Sequence, residues 1–279
     1  MTVTDPPIGP RALWNDWVHF VLPCPCLGCG RPLAAPAPRL MLCRPCRGRL
    51  SPRRGPSCRR CARPLADPEL ATCTACIVRT PELDRLWIPW RYLPPLDSVV
   101  QALKFRRLEH LGGDLALGAL EEIGPRRLAE RLKGRTGPPI EWVVPIPLHW
   151  RRRLQRGYNQ AEAIARPLAE RLELPLIRAL RRPRATPPQT GLGRRERLRN
   201  PRRSFRLSAT YQQKLSGEGV LLVDDVLTTG ATLRAAAQCL RQGGVRRVEG
   251  FVIARSPEEQ ATAGSELTGG PPGPILQSL

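Results

Sequence analysis

Two groups of residues in this sequence have the types and spacing to do chemistry: eight cysteines near the amino terminus and two adjacent aspartates far from them. The cysteines form four Cys-x-x-Cys units, Cys26/Cys29, Cys43/Cys46, Cys58/Cys61 and Cys73/Cys76. Two residues between thiolates let a tight turn aim both sulfurs at one ion, and two such knuckles complete a tetrahedral four-cysteine zinc site. Gly30-Arg31-Pro32-Leu33 follows Cys29 and Ala62-Arg63-Pro64-Leu65 follows Cys61, so a unit of knuckle, Arg-Pro-Leu, spacer and knuckle is repeated. The repeat favours two sequential zinc ribbons, although pairing the first knuckle with the third fits the spacing nearly as well. Such zinc is structural, with no open coordination position, and iron fits the same thiolate geometry. A disulfide framework would need an oxidising compartment, and the amino terminus reads without a secretory signal. Cys24 sits at a poorer spacing, and Cys239, in a predicted helix, reads as a small buried apolar residue.

The aspartates stand in Val220-Leu-Leu-Val-Asp224-Asp225-Val226-Leu227-Thr228-Thr229-Gly230-Ala231-Thr232. Four apolar residues bring a central strand to its carboxyl end, where open α/β sheets place their ligands. Two carboxylates then meeting solvent suit ribose hydroxyls or a magnesium-bound polyphosphate. A small, hydroxylated turn leading into a helix offers backbone N–H groups and a helix dipole to an anion, and Gly230 lets the backbone come close to a phosphate. No G-x-x-x-x-G-K-[ST] occurs, which excludes a P-loop.

Two arginine-rich segments accompany this motif. Pro147 to Gln160 holds Arg151, Arg152, Arg153 and Arg156 before Gly157 and Tyr158, a second anion site at a strand-to-helix turn. Arg178 to Arg206 carries 11 arginines and one acid, Glu196, and is too polar for a core.

The elements that must position these groups read as an α/β domain. Leu86–Tyr92 is expected as an edge strand, its proline being awkward in a central one. Helical spacing follows over 97–121 with a break near Gly112-Gly113, then a buried strand at Trp142–Ile146 and a helix over Tyr158–Leu172. A strand at Val220–Val223, a helix from Gly230 to Gln242 and a strand over Val245–Ala254 complete it. Strands alternating with helices imply a parallel sheet with helices on its faces. From Ser256 the composition is that of a disordered tail.

With 279 residues, 41% apolar and 25% charged, the chain can bury a sizeable core and is not wholly disordered. No apolar run is long enough to span a membrane. A cytoplasmic protein is expected, one that meets the inner membrane only through partners. The net charge is +21, and only Lys104, Lys133 and Lys214 are lysines, so arginine supplies the field. That field favours phosphate-rich partners.

The Asp224–Thr232 stretch closely resembles the phosphoribosyl-pyrophosphate signature of type I phosphoribosyltransferases. The resemblance implies that Asp224 and Asp225 face the ribose hydroxyls, one of them assisting proton transfer or charge stabilisation. It implies that residues 228–232, with Val226 and Leu227 before them, form the binding segment, and that Mg²⁺ accompanies the ligand. It also places pyrophosphate at Arg156, Gly157 and Tyr158, and makes the 178–206 segment a loop closing over the substrate. More widely, the tandem knuckles, Leu103-Lys104-Phe105, V-P-I-P-L-H-W-R-R-R, R-G-Y-N-Q-A-E, the R-x-T-x-x-Q-x-G-L loop and V-D-D-V-L-T-T-G-A-T resemble the ComF family in the same order. The family implies a type I phosphoribosyltransferase-like parallel sheet flanked by helices, preceded by a four-cysteine zinc-ribbon region and associated with DNA uptake in competent bacteria. The expected organisation is a segment 1–22, a double ribbon 23–79, a phosphoribosyltransferase-like domain 80–255 and a tail 256–279. Two functions follow as expectations. One is phosphoribosyl transfer to an acceptor the sequence does not reveal. The other is the holding of single-stranded DNA on the ribbons and arginine surface, together with other DNA-uptake proteins, with Trp14, Trp17, Trp87, Trp90, Trp142 and Trp150 available for stacking.

Overall fold

The computed structural model describes residues 24–33, 37–78, 82–134, 137–183 and 204–257. The expectations for residues 1–22 (Trp14 and Trp17 among them), for most of the 178–206 loop and for the tail from residue 258 lie outside these.

The cysteine region contains two short helices, α1 (Arg44–Gly48) and α2 (Thr74–Val78), each starting directly after a knuckle's first cysteine. Its internal repeat is visible in the hydrogen bonds. The Cys26 N–H donates to the Arg31 carbonyl and the Cys58 N–H to that of Arg63, both at 2.8 Å. The Gly30 and Ala62 N–H groups close the same turn onto the carbonyls of Cys26 and Cys58.

The remainder runs β1 (Arg85–Trp87), β2 (Trp90–Arg91), α3 (Leu96–Phe105), α4 (Leu111–Ile123), α5 (Pro125–Leu132), β3 (Ile140–Pro145), α6 (Trp150–Arg156) and α7 (Gln160–Leu172). Then follow β4 (Leu180–Arg181), β5 (Arg206–Leu207), α8 (Ala209–Leu215), β6 (Gly219–Leu227), α9 (Ala231–Gln242) and β7 (Arg247–Arg255). β1, β7, β6 and β3 lie side by side in that order, all parallel, with β2 continuing the β1 edge along β7. This is the parallel sheet flanked by helices that the element pattern implied. β4 and β5 form a separate antiparallel pair.

β6 shows why the sequence takes this form. Its residues 219–223 are buried on both faces, so the run is apolar rather than alternating. Leu221 and Val223 pack among α3, α4 and α7, whereas Val220 and Leu222 pack against α8 and α9. Each fully buried leucine contributes about 1.5–3 kcal/mol.

Three local expectations need correction. The helical break falls at residues 106–110, where Arg107 adopts a left-handed φ of 57°. Gly112 lies inside α4 because a Cβ there would meet the backbone of Ala163 at 2.7 Å, so this glycine serves the α4–α7 crossing. The arginine turn after β3 is itself helical, forming α6, which ends at Gly157 with a φ of 85°. Finally, β6 does not stop at Val223. It pairs with β7 as far as Leu227, while its pairing with β3 ends at Pro145–Val223.

The first ribbon joins the main core. Cys26, Leu33, Leu40, Leu42 and Cys46 belong to the same buried cluster as α3, α4 and α7. The Leu40 N–H donates to Asp114 Oδ2 on α4 at 2.7 Å, and a Cβ on Gly28 would meet Pro95 at 2.8 Å. The second ribbon is tied to the sheet by the Leu86 N–H donating to the Arg59 carbonyl at 2.7 Å and by Arg255 Nη1 donating to the Cys61 carbonyl at 2.6 Å.

Candidate functional site

The knuckles pair sequentially. The sulfurs of Cys26, Cys29, Cys43 and Cys46 lie within 4.8 Å of one another, and so do those of Cys58, Cys61, Cys73 and Cys76. The interleaved alternative is thereby excluded. The donor set fits a tetrahedral thiolate-bound ion. In the first cluster burial alone would raise the Cys26 thiol, but N–H groups of Cys43, Gly28 and Cys29 outweigh it and hold its pKa down to about 6. The Cys43 N–H donates to Cys26 Sγ at 3.2 Å. Cys58 is held down to about 6 in the same way by Cys73, Cys61 and Arg60. Burial followed by neighbouring sulfur pushes Cys46 up to about 12 and raises Cys76. Cys26 and Cys58 therefore ionise readily, whereas Cys46 and Cys76 would need a bound cation to do so.

Asp224 and Asp225 lie on the part of β6 that outruns β3, at the carboxyl end of the sheet. Adjacent strand residues face opposite ways, and the two carboxylates have different surroundings. Asp224 is half-buried on the α9 side. Burial, followed by the charge of Asp225, pushes its carboxyl up to about 7, although Lys104 and Arg182 oppose the rise. Asp225 is buried rather than open to solvent as expected, because Lys104 Nζ lies 3.0 Å from its Oδ2. That oxygen has no hydrogen bond of good geometry. The carboxylates also brace the backbone, Asp224 Oδ1 accepting from the Asp225 N–H at 2.9 Å and Asp225 Oδ1 from the Val226 N–H at 2.6 Å.

Leu227 is buried and Val226 packs on the core, so both present backbone rather than side chains. Thr228 and Thr229 are exposed, and Gly230 takes a left-handed φ of 72° directly before α9. A Cβ on Gly230 would meet Leu227 Cδ1 at 3.3 Å and Arg234 Nη1 at 3.1 Å. Arg234 Nη1 also donates to the Thr229 carbonyl at 3.0 Å, setting a cation beside the turn. Ala231 and Thr232 form the first turn of α9. The acidic pair and the hydroxyl-bearing turn are thus contiguous and end at a helix N-terminus, an arrangement suited to an anionic sugar.

The second arginine group is tied to the same region. Asn159 caps α7, its Oδ1 accepting from the Ala161 N–H at 3.3 Å and its Nδ2 donating to the Ile146 carbonyl at 3.0 Å. Arg156 is half-buried, its guanidinium 4.9 Å from the centre of the Phe105 ring. The Tyr158 hydroxyl donates to the Leu103 carbonyl, so what Tyr158 offers the turn is backbone. His149 is buried, and its Nδ1 accepts from the Arg151 N–H at 3.3 Å. Burial and then Arg151, Arg182 and Arg152 lower its pKa, keeping it a neutral cap.

The sequence reading passed over Lys104 as a site residue. A signal was present, since it is one of three lysines in a chain whose other 42 basic residues are arginine. Arg182, whose charge bears on Asp224, was read only within the 178–206 segment as a loop closing over the substrate, with no role of its own.

Residues 156–263 match a family described as "Phosphoribosyl transferase domain", and residues 17–77 one described as "Double zinc ribbon domain". The chain is 35% identical over 200 residues to the Salmonella typhimurium "DNA utilization protein YhgH", covering 71% of this chain and 84% of that one. It is 31% identical over 185 residues to the Haemophilus influenzae "Competence protein F", covering 66% and 78%. Over 115 residues it is 36% identical to the Bacillus subtilis "Competence protein ComFC", covering 41% and 44%. Among the described residues no helix is long and apolar enough to cross a membrane.

Proposed function

Because the chain belongs to the ComF/YhgH family, which joins a double zinc ribbon to a phosphoribosyltransferase domain, we propose that it binds phosphoribosyl pyrophosphate with Mg²⁺ and acts in handling single-stranded DNA during uptake. The names of its relatives, "Competence protein F" and "DNA utilization protein YhgH", support the second half of this reading. The observation that carries the first half is the contiguity of Asp224, Asp225 and the 228–232 turn at the head of α9.

In this reading the backbone of residues 228–232 and the α9 dipole receive the 5-phosphate. Asp224 accepts hydrogen bonds from ribose hydroxyls, and Asp225 joins it once Lys104 gives way. Arg156 and the backbone at Gly157 and Tyr158 take the pyrophosphate. Mg²⁺ would supply charge neutralisation between carboxylate and phosphate oxygens, the mode of binding this hard cation prefers. The eight cysteines hold two structural zinc ions, which fix the knuckles. Domain limits of 23–79 for the ribbons and 80–255 for the transferase fold belong to the same proposal.

Turnover is a second reading, favoured by Asp224, whose pKa of about 7 lets it exchange a proton near neutrality. Catalysis would then rest on holding the leaving pyrophosphate and on electrostatic support at the ribose. Isothermal titration of phosphoribosyl pyrophosphate with Mg²⁺ tests the proposal. Binding that Asp224→Asn/Asp225→Asn abolishes is the expected result; no detectable heat with the intact protein overturns it.

A further inference from the structure

Most large apolar side chains of the described residues are buried. The few that are well exposed include three in one neighbourhood: Trp150 at 55%, Leu154 at 73% and Phe105 at 65%. Trp150 and Leu154 are four residues apart on α6 and so share a face of it. Phe105 sits at the other end of α6, under Arg156. Trp150 and Arg156 are separated by about 9 Å along the helix axis at 1.5 Å per residue.

Each ring already carries a guanidinium, Arg151 at 5.3 Å from the Trp150 centroid and Arg156 at 4.9 Å from that of Phe105. Arg151, Arg152 and Arg153 are exposed, and none has a carboxylate within ion-pair distance among the described residues. Helix α6 contains no acidic residue at all. The charge of Arg152 also bears on His149, Arg156 and Arg182, so the positive field continues from α6 toward Asp224. Beside Phe105 a cavity of about 340 Å³ opens between α3 and the first ribbon, lined in part by Tyr92, Gln101 and Arg106. Exposed Trp150 and Leu154 thus stand among arginines without a carboxylate partner on a short helix, with the exposed Phe105 ring of α3 at its far end. They match a ligand with flat apolar faces on an anionic backbone.

We propose that α6 and the Phe105 ring form a stacking surface for a single-stranded polynucleotide, with bases against Trp150 and Phe105 and phosphates on Arg151, Arg152 and Arg153. This rests on the DNA-handling half of the proposed function and gives it a location beside, but not within, the phosphoribosyl pocket. The surface reads no base edges, so it takes the strand without regard to sequence, and phosphate contacts make it salt-dependent.

The test is a fluorescence-anisotropy titration of the full chain with a labelled oligothymidylate of ~12 nucleotides, repeated with oligouridylate. Trp150→Ala and Phe105→Ala are each expected to weaken binding about tenfold. Ile77→Ala, which removes an exposed apolar residue of the second ribbon, should change nothing. Equal losses with both oligonucleotides support a surface blind to the sugar; a loss confined to oligothymidylate supports it and assigns the ligand as DNA. Unchanged affinity in both ring variants overturns the inference. So does binding of anionic vesicles that Trp150→Ala abolishes while oligonucleotide affinity stays the same. If the intact chain binds no oligonucleotide, the inference falls together with the DNA half of the proposed function. Phosphoribosyl-pyrophosphate binding, titrated on the same preparations and expected to survive Trp150→Ala, shows whether the ligand half stands by itself.

Discussion

Lys104 Nζ, on α3, lies 3.0 Å from Asp225 Oδ2 on β6, and both side chains are largely removed from water. The second acid of the pair is thus held by a lysine of the helical layer, through an ion pair that the ligand we propose would have to replace.

Removing one member of such a pair leaves the other charge buried and uncompensated. Lys104→Met is therefore expected to lower unfolding free energy by about 3 kcal/mol. The double variant Lys104→Met/Asp225→Asn should recover most of that loss, because it removes the stranded charge as well. Urea midpoints of the two variants and the parent decide the point. A single variant as stable as the parent would mean that the pair contributes nothing.

Asp224 makes stability depend on pH in a definite direction. Its folded pKa of about 7 is above the ordinary carboxylate value, because of burial and then Asp225. Between the ordinary value and about 7 the folded chain keeps a proton that the unfolded chain releases, so stability falls as pH rises through that window. Asp224→Asn removes this titration. Relative to the parent, the variant should gain on the order of 4 kcal/mol between pH 4 and pH 8. Thermal melts of both proteins at the two pH values measure the difference; a constant offset would show that Asp224 titrates normally.

The two ribbons should respond unequally to loss of their ions. The first shares the core of α3, α4 and α7 through Leu33, Leu40 and Leu42. Of the second, only Ala62 belongs to a buried cluster, and Ile77 and Val78 are exposed. Cys26→Ser is therefore expected to lower the melting temperature of the whole molecule, whereas Cys58→Ser should release about one zinc equivalent with a much smaller shift. Zinc content and melting curves of the two variants check both halves of this expectation.

The sheet and the turn that opens α9 were legible in the sequence because each rests on a local pattern. The run Val220–Val223 reads as a buried strand, and Thr228–Thr232 announces a helix start. The knuckle repeat likewise reads as zinc ribbon, though only the folded chain shows that the pairing is sequential. Properties set by distant partners were not legible. Gly112 looks like a helix break until Ala163 is placed against it. Asp225 looks solvent-facing until α3 brings Lys104 to it. The arginines of 151–156 look like a turn, since nothing local predicts that His149 caps them into a helix.

The least legible feature is charged and buried. Arg247 and Glu249 lie two residues apart on β7, where the sequence reading saw only a strand, and their side chains are 7% and 3% exposed. Glu249 Oε1 accepts from Arg247 Nη2 at 2.6 Å, and its Oε2 accepts from Trp87 Nε1 on β1 at 2.7 Å. Arg247 also donates to the carbonyls of Arg131 and Pro138, each at 2.9 Å, and so fastens the end of α5 and the approach to β3 to the sheet. Glu249 is thus the shared acceptor for the Arg247 guanidinium and the Trp87 indole. Glu249→Ala leaves a guanidinium buried without its counter-ion and is expected to cost about 3–5 kcal/mol. Glu249→Gln keeps the acceptor for Trp87 but loses the charge, and should cost less. Replacing both residues with apolar ones of similar volume should cost least, because no polar group is then stranded. Guanidinium unfolding of the three variants orders these costs. A double apolar variant less stable than Glu249→Ala would show that Arg247 matters chiefly for the carbonyls it binds on α5 and before β3 rather than for its pairing with Glu249.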